Sequence, residues 1–487
     1  MKKKLLYILA FLFIGSSLAF AYQDNPARIK GLRPMSMGGA FTAVADDENA
    51  FFYNSAGITQ RQGQLFQIFN LDFAINTDTI DFYNFFADNT TELDNFDDLS
   101  SSEEDKLLEK INNRIVGSTP NITVSMPNFA YISRPFKISS NSLSFGLGVF
   151  SYANAQFNFN YSTSTPNLNY SVETTAVAVL PVSYRIESLD AVGMPGKLSL
   201  GTNFKYIYRG KARVEELSVD EFEDFDFPFQ TGEGYGLDLG MIYHLNSSWN
   251  FGMQLTDAFH TNIEYGKYTN DDNPAKSKPA YTGSIRPELN IGAAFFPDKI
   301  YYFPGFYFET NKRFTFAADL SDITNSDETL ADSFWKKTHF GIEYRYSPFV
   351  LRAGVNSGYL SIGGGIATNV VQFEYAYYGE ETGYRAEREP SWYHRILFSV
   401  KIGENKGRPF GKSVKPAKEK QKRKKDKKEE TQEPAKKSEA PAKSVSEKDH
   451  EQEKDDEEFD ESEVEPAKIP SNAKETISKP SDISEIK

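Results

Sequence analysis

Cysteine is absent from all 487 residues, which removes disulfides, redox thiols and thiolate metal sites. Histidine is scarce: His244, His260, His339, His394 and His450 are scattered, with no pair four residues apart and no H-E-x-x-H, so a histidine metal centre has no support. No G-x-S-x-G nucleophile elbow occurs. The glycine runs Gly232-Glu233-Gly234-Tyr235-Gly236 and Gly363-Gly364-Gly365 lack the Lys-Ser/Thr and βαβ setting of a phosphate loop; glycines in barrel strands make room for bends or lumen contents. Asp271-Asp272-Asn273 and the run Asp220 to Asp226 are dense enough to attract calcium, but acidic loops are ordinarily just solvated. The chain therefore reads as no enzyme, with no catalytic residue, cofactor or metal ligand. Also missing is any stretch reaching the roughly 18 consecutive apolar residues of a membrane helix.

What is abundant is Phe and Tyr, 40 and 27 against 3 Trp, a level that suits the interfacial girdles of a membrane barrel. Lys2, Lys3 and Lys4, then an apolar run from Leu5 to Ile14, then small residues ending Ala19-Phe20-Ala21, form a cleavable secretory signal over residues 1–21. From Gly63 to Gly403 the dominant pattern is period-two alternation: Leu143, Phe145, Leu147, Val149 is one run, and Trp249, Phe251, Met253, Leu255 another. The runs sum to about fourteen strands, an even number as a closed bacterial barrel requires. Long and short connections tend to alternate, as external loops and periplasmic turns do. Two places break that rhythm: Asn356-Ser357-Gly358 is short where a long loop is due, and Asp298 to Lys312 is long where a short turn is due. Pro127 and Pro181 each predict a bulge or kink. In the first long loop, Ser101 with Glu104 reads as a capping box opening a short amphipathic helix over Ser101 to Ile115 that covers the barrel mouth.

The stretch Gly31 to Ile58, GLRPMSMGGAFTAVADDENAFFYNSAGI, fits neither period. Its small residues let backbone approach backbone, which suits a compact plug inside something else. Met37 to Asp47, MGGAFTAVADD, followed by Asn54-Ser55-Ala56-Gly57, resembles the N-terminal segment of the FadL-type outer-membrane transporter superfamily, which includes PorV-like proteins. Ser55 stands where the family usually has Pro. The resemblance implies a lumenal hatch over residues 22–62 of a 14-stranded barrel, with Gly38, Gly39, Asn54, Ala56 and Gly57 as hatch architecture. Phe51, Phe52 and Tyr53 then line the ligand path, or are plain packing. It further implies the outer membrane of a Gram-negative-type bacterium and passive uptake of hydrophobic compounds such as long-chain fatty acids.

If the apolar face of the wall meets lipid, Lys197, Lys205, Arg209, Asp238, Asp319, Glu343, Arg345, Arg352, Glu374, Arg395 and Lys401 point into the lumen, because Arg or Lys facing hydrocarbon near the midplane costs about 2–4 kcal/mol. Two readings stay open: a salt-bridged lumen that holds the hatch, or a site in which Arg345 and Arg352 take the carboxylate head of an amphipathic ligand. After Gly403 the composition turns to Lys, Glu, Ser, Pro and Ala, basic over Lys406 to Lys428 and acidic over Glu451 to Glu465. No core forms from this, so residues 404–487 are expected to be disordered and to lie in the periplasm, as a spacer or as a tether to the cell wall or an envelope partner. The basic block has no interleaved aromatics, which argues against nucleic acid. The partners expected are outer-membrane lipid and a hydrophobic small molecule. The alternative to a transporter is a PorV-like adaptor barrel that docks a secretion or envelope complex; a soluble exported β-protein is a third reading.

Overall fold

The computed structural model describes residues 29–95, 99–162, 165–218, 228–271, 273–303, 306–324, 334–381 and 390–403. The expected signal peptide, the tail and the first residues of the expected hatch lie outside these.

Among the described residues the chain forms a closed, antiparallel, fourteen-stranded transmembrane barrel. Its wall strands are β1 (Leu65–Asn76), β2 (Asn121–Ser125 and Phe129–Ile132), β3 (Asn141–Ser162), β4 (Thr165–Ile186), β5 (Lys197–Ser218) and β6 (Gln230–His244). They continue as β7 (Trp249–Thr256 and Thr261–Tyr265), β8 (Tyr281–Ile285 and Glu288–Phe295), β9 (Phe314–Leu320) and β10 (Thr338–Tyr346). The last four are β11 (Phe349–Asn356), β12 (Tyr359–Ala367), β13 (Val371–Glu381) and β14 (Pro390–Ile402). Each pairs with its sequence neighbours, and β14 closes on β1 from Phe66↔Ile402 to Asn76↔Tyr393.

The alternation read from the sequence is the alternation of the wall. In β11, Phe349, Leu351 and Val355 are exposed, whereas Val350, Arg352 and Asn356 are buried. Around the ring, Leu147, Phe204, Leu239, Phe251, Phe340, Leu360 and Phe373 repeat this outward pattern. An apolar belt on so many consecutive strands far exceeds the few hundred Å² that a soluble monomer exposes, and it is stable only against lipid. At the end carrying the short turns the outward face is aromatic: Trp249 packs on Phe295 at 4.6 Å, Phe314 on Tyr344 at 4.7 Å and Phe66 on Tyr131 at 6.4 Å. That is the girdle of a barrel at one membrane interface.

Several local expectations are corrected. The helix over Ser101–Arg114 forms, but its cap is one residue earlier: Ser100 N and Oγ donate to Glu103 Oε2 at 3.1 and 2.6 Å. A second helix, Thr77–Asp88, precedes it, capped by Asn76, and the two pack through Phe85, Leu107 and Ile115. Pro127 does break β2: the β2–β3 ladder steps from Val124↔Ala153 to Phe129↔Val149. Pro181 makes no bulge, because the register is the same on both sides of it, Phe145↔Val182 and Gly148↔Val179, and its ring lies against Gly146. The loop expected over His260–Ile285 is partly strand, Thr261–Tyr265 pairing with Tyr281–Ile285. The long connection after Phe295 carries a hairpin outside the wall, Lys299–Phe303 with Phe306–Glu309, and β11 turns directly into β12 through Ser357 and Gly358.

Candidate functional site

Residues 31–60 cross the lumen, meeting the short-turn end at Lys401 and Gly201 and the opposite ends of β10 and β11 at His339 and Asn356, and almost every side chain in them is buried. A single helical turn, Leu32–Ser36, leads into Gly38 and Gly39, both with positive φ (64° and 83°). Helix Ala50–Tyr53 follows, then a 3-10 helix, Ser55–Gln60. Gly38 is constrained twice, since a Cβ there would also stand 2.5 Å from Phe340 O and Val355 O of the wall. Asn54 caps the 3-10 helix through Oδ1, 3.1 Å from Ala56 N, while its Nδ2 donates to Thr42 O at 2.9 Å and to Met241 O on β6 at 3.1 Å. Ala56 O accepts from Ser183 Oγ on β4 at 3.1 Å, and a Cβ on Gly57 would meet Ala45 O at 1.9 Å. The five motif residues thus stand where the plug meets itself or the wall.

The wall is hollowed to receive it. Gly201 on β5 faces Ala56, Gly240 on β6 faces Asn54, Gly252 on β7 faces Thr42, Gly341 and Gly354 on β10 and β11 face Met37, and Gly363 on β12 faces Ser36, each too close for a side chain. Several are cross-strand partners, Gly201↔Gly240, Gly252↔Gly292 and Gly341↔Gly354. Together they form a belt of missing side chains at the level of the plug.

Charge locks the other side. Arg33 forks onto Glu343 of β10 with two 2.8 Å bonds and reaches Asp47 at 2.6 Å and Asp46 beside it. Glu343 also accepts from Arg345 at 2.9 Å and Arg352 at 2.8 Å, and Arg352 continues to Glu374 at 2.6 Å. Lys401 of β14 pairs with Glu48, and Arg61 stands in the field of the same plug acids. Bidentate, buried pairs of this kind bind strongly when intact and leave a costly charge when one member is lost. Asp319 of β9 adds a neutral-donor anchor, its Oδ2 accepting from Phe41 N and Thr42 N at 2.7 Å each.

Arg345 and Arg352 therefore differ. The Arg352 side chain is 0% exposed and shared between two carboxylates, whereas Arg345 is 41% exposed and paired on one side. Phe51 and Phe52 both pack edge-on against Phe150 of β3, at 5.3 and 4.8 Å, and Tyr53 against Phe41 at 5.5 Å. Above them, towards the long loops, the inward face is mixed. Val177, Ile207, Ile263, Tyr265 and Ile285 belong to the same buried cluster as the plug phenylalanines. On the strands that carry Val177 and Ile207, buried charges pair: Lys205 with Asp238 and Asp257 at 2.7 and 2.8 Å, and Arg209 and Lys211 with Glu173 at 3.6 and 3.1 Å. Phe150 also adjoins the interruption of β2, where Ser151 N donates to Asn128 Oδ1 and Ser151 Oγ to Met126 O, both at 2.8 Å, in place of ladder bonds.

The inward charges were identifiable from strand phase, but Arg33 was not, because nothing in an aperiodic segment says which residue reaches a wall carboxylate. The acidic turn Asp46-Asp47-Glu48 was the available signal, three like charges in a segment otherwise built for burial. Among the described residues no group of three or more metal-binding side chains occurs.

Fold and lumen together define a plugged transmembrane barrel. No protein-family model matches the sequence, and no curated protein matches it. Solved structures do. The Ralstonia pickettii toluene transporter TbuX aligns with a TM-score of 0.45 at 12% identity, over 78% of this chain and 99% of that one. The Pseudomonas putida toluene transporter TodX aligns at 0.40 and 12% identity, over 80% and 100%. The CymD monoaromatic hydrocarbon channel aligns at 0.38 and 14% identity, over 76% and 96%.

Proposed function

We propose that this chain is an outer-membrane channel for passive uptake of hydrophobic compounds, long-chain fatty acids among them. The observation that carries the reading is the lumen itself. A solute channel of this architecture has a polar interior, whereas here an apolar strip of Val177, Ile207, Ile263, Tyr265 and Ile285 continues from Phe51, Phe52 and Phe150, beside lumen charges that are already neutralised in pairs, Arg209 and Lys211 with Glu173. A hydrophobic ligand gains by leaving water along that path. Its way out is either rearrangement of the hatch or a lateral opening at the broken ladder beside Pro127, and the network around Arg33 and Glu343, which binds the plug to the wall, favours the lateral route. Arg345, the more exposed of the two lumen arginines, stands beside the Ser347–Pro348 turn, where a carboxylate head group meets it on the hatch route; on that route the expected outcome of Arg345→Gln is weaker binding of a fatty acid with unchanged binding of an alkane, measured by calorimetry on the purified barrel.

The direct test is uptake of labelled long-chain fatty acid by cells with and without the gene, with outer-membrane insertion verified in the same cells. Loss of uptake on deletion is the expected result; unchanged uptake of fatty acids and of alkanes alike overturns the reading. The PorV-like adaptor is the second reading. It is favoured by the charged composition of residues 404–487, for which a channel has no evident use and which would lie in the periplasm against a cell-wall or envelope partner. Deleting that segment separates the two: a channel keeps its uptake, and an adaptor loses its partner.

A further inference from the structure

The hairpin Lys299–Phe303/Phe306–Glu309 is the one paired element among the described strands that is not part of the wall. It leaves the barrel at the short-turn end, between β8 and β9, where a tight turn would serve. Its attachment is fixed: Thr310 N donates to Asp298 O at 2.8 Å, Thr310 Oγ1 donates to Pro297 O, and Lys312 Nζ reaches Ser247 O in the adjacent turn at 2.8 Å. Its composition, KIYYF and FYFE, is wrong for a segment standing free in water. Tyr301 is 67% exposed, and Tyr307 and Phe308 are exposed as well.

The pairing puts Tyr301 opposite Tyr307 and Ile300 opposite Phe308, with Lys299 opposite Glu309 at the base, so both faces carry apolar or aromatic side chains and the charges sit where the hairpin joins the barrel. The two tyrosine rings stand 5.4 Å apart, and Lys299 Nζ caps Tyr307 at 4.0 Å from the ring centre. Rings with one polar tip, beside a lysine, are what the headgroup layer of a bilayer selects, because the ring body is buried while the hydroxyl and ammonium stay wet. What covers this surface is indicated by what it continues. Phe308 lies 6.1 Å from Phe314, which packs on Tyr344 at 4.7 Å, and Arg313 sits over Tyr346 at 4.7 Å. The hairpin is therefore joined edge to edge to the aromatic girdle, the part of the wall that already marks the membrane interface.

We propose that this hairpin is a membrane-interface anchor that lies on the phospholipid headgroup layer at the short-turn end and extends the footprint of the barrel beyond its wall. The inference rests on the barrel being membrane-embedded, and the test separates the two. Because the chain contains no cysteine, single spin labels can be placed in the full-length protein without background. Labels at Tyr301→Cys, at Leu351→Cys on the outer wall and at Asn369→Cys in a short turn are compared in phosphatidylethanolamine/phosphatidylglycerol vesicles, after heat-modifiability shows that each barrel is folded. Accessibility to oxygen and to an aqueous nickel chelate is then measured. The Tyr301 label is expected to be several-fold less accessible to nickel than the Asn369 label and to sit no deeper than the Leu351 label, which lies opposite Tyr344 of the girdle. Nickel accessibility equal to that at Asn369, with Leu351 in lipid, overturns the anchor alone and makes a protein partner the occupant. An aqueous Leu351 label overturns both the anchor and the membrane barrel.

Discussion

Arg33 is the residue on which the seating of the plug turns. It carries the cationic side of a cluster with Glu343, Asp46 and Asp47, all buried or largely so. Arg33→Met keeps volume and removes charge, and removing one partner of a buried ion pair costs about 3–5 kcal/mol. Denaturant unfolding in detergent is expected to register that loss. Arg33→Lys is expected to recover only part of it, because an ammonium cannot fork onto both Glu343 oxygens while reaching the two aspartates. Glu187 offers a separate, pH-dependent case at a turn. Burial would push its carboxyl up, but hydrogen bonds from Lys197, Ser142 and Arg185 hold it down at about 2. An ordinary glutamate titrates near 4.3, so a carboxyl depressed in the folded state contributes stability in full above that value and loses it as pH falls towards about 2. Unfolding midpoints measured from pH 6 to pH 2 are expected to drop for the parent and to drop less for Glu187→Gln; equal slopes in the two proteins would exclude this contribution.

The plug and its glycine belt are interdependent elements. A valine at Gly354 would drive its side chain into Met37 C and Gly38 N, both 2.5 Å from the Cβ position, so Gly354→Val is expected to unseat the plug and raise single-channel conductance in a planar bilayer. Gly364 on the adjacent strand meets only wall atoms of β11, Val350 O and Leu351, and Gly364→Ala is expected to leave conductance unchanged. At this scale much was legible in advance. Period-two runs gave the strands because lipid outside and packing inside enforce opposite chemistry on alternate residues. The glycines inside strands signalled lumen contents, but not which ones touch the plug. What stayed hidden depends on partners distant in sequence. Pro181 looked like a kink until Gly146 proved to lie opposite it, and the helix Thr77–Asp88, with its Asn76 cap, was not read even though Ile80, Phe82, Tyr83, Phe85 and Phe86 fall within it, because aromatics this dense suit a strand as well as a short helix. The pairing of Arg33 with Glu343 joins residues 310 apart, a separation over which no periodicity speaks.

For the molecule as a whole, the apolar belt outside and the buried apolar cluster around Phe150 inside are separated by a wall one residue thick, interrupted at β2 beside Pro127. A lateral route makes a specific demand there: a disulfide between cysteines placed at Asn128 and Ser151, which already share a 2.8 Å hydrogen bond, would pin the interruption shut. Uptake is expected to fall when the bridge is oxidised and to return on reduction. Uptake indifferent to the redox state would move the route to the hatch.

The closure of β14 on β1 carries a consequence for how the barrel comes into being. Among the described strands every other wall contact joins consecutive strands, so a curved sheet can grow by local steps, the longest spanning the connection from Asn76 to Asn121. Only the last contact, along Phe66↔Ile402 to Asn76↔Tyr393, brings together the two edges of the finished sheet. At that seam Arg395 forks onto Asp72 at 2.7 and 2.9 Å, a buried latch between residues 323 apart. Until it engages, the sheet has two open edges and an unenclosed plug; when it engages, edges, plug and lumen are sealed in one event. Asp72 and Arg395 therefore belong to the timing of assembly, and their loss is expected to slow the appearance of the heat-modifiable folded form more than it lowers its final stability.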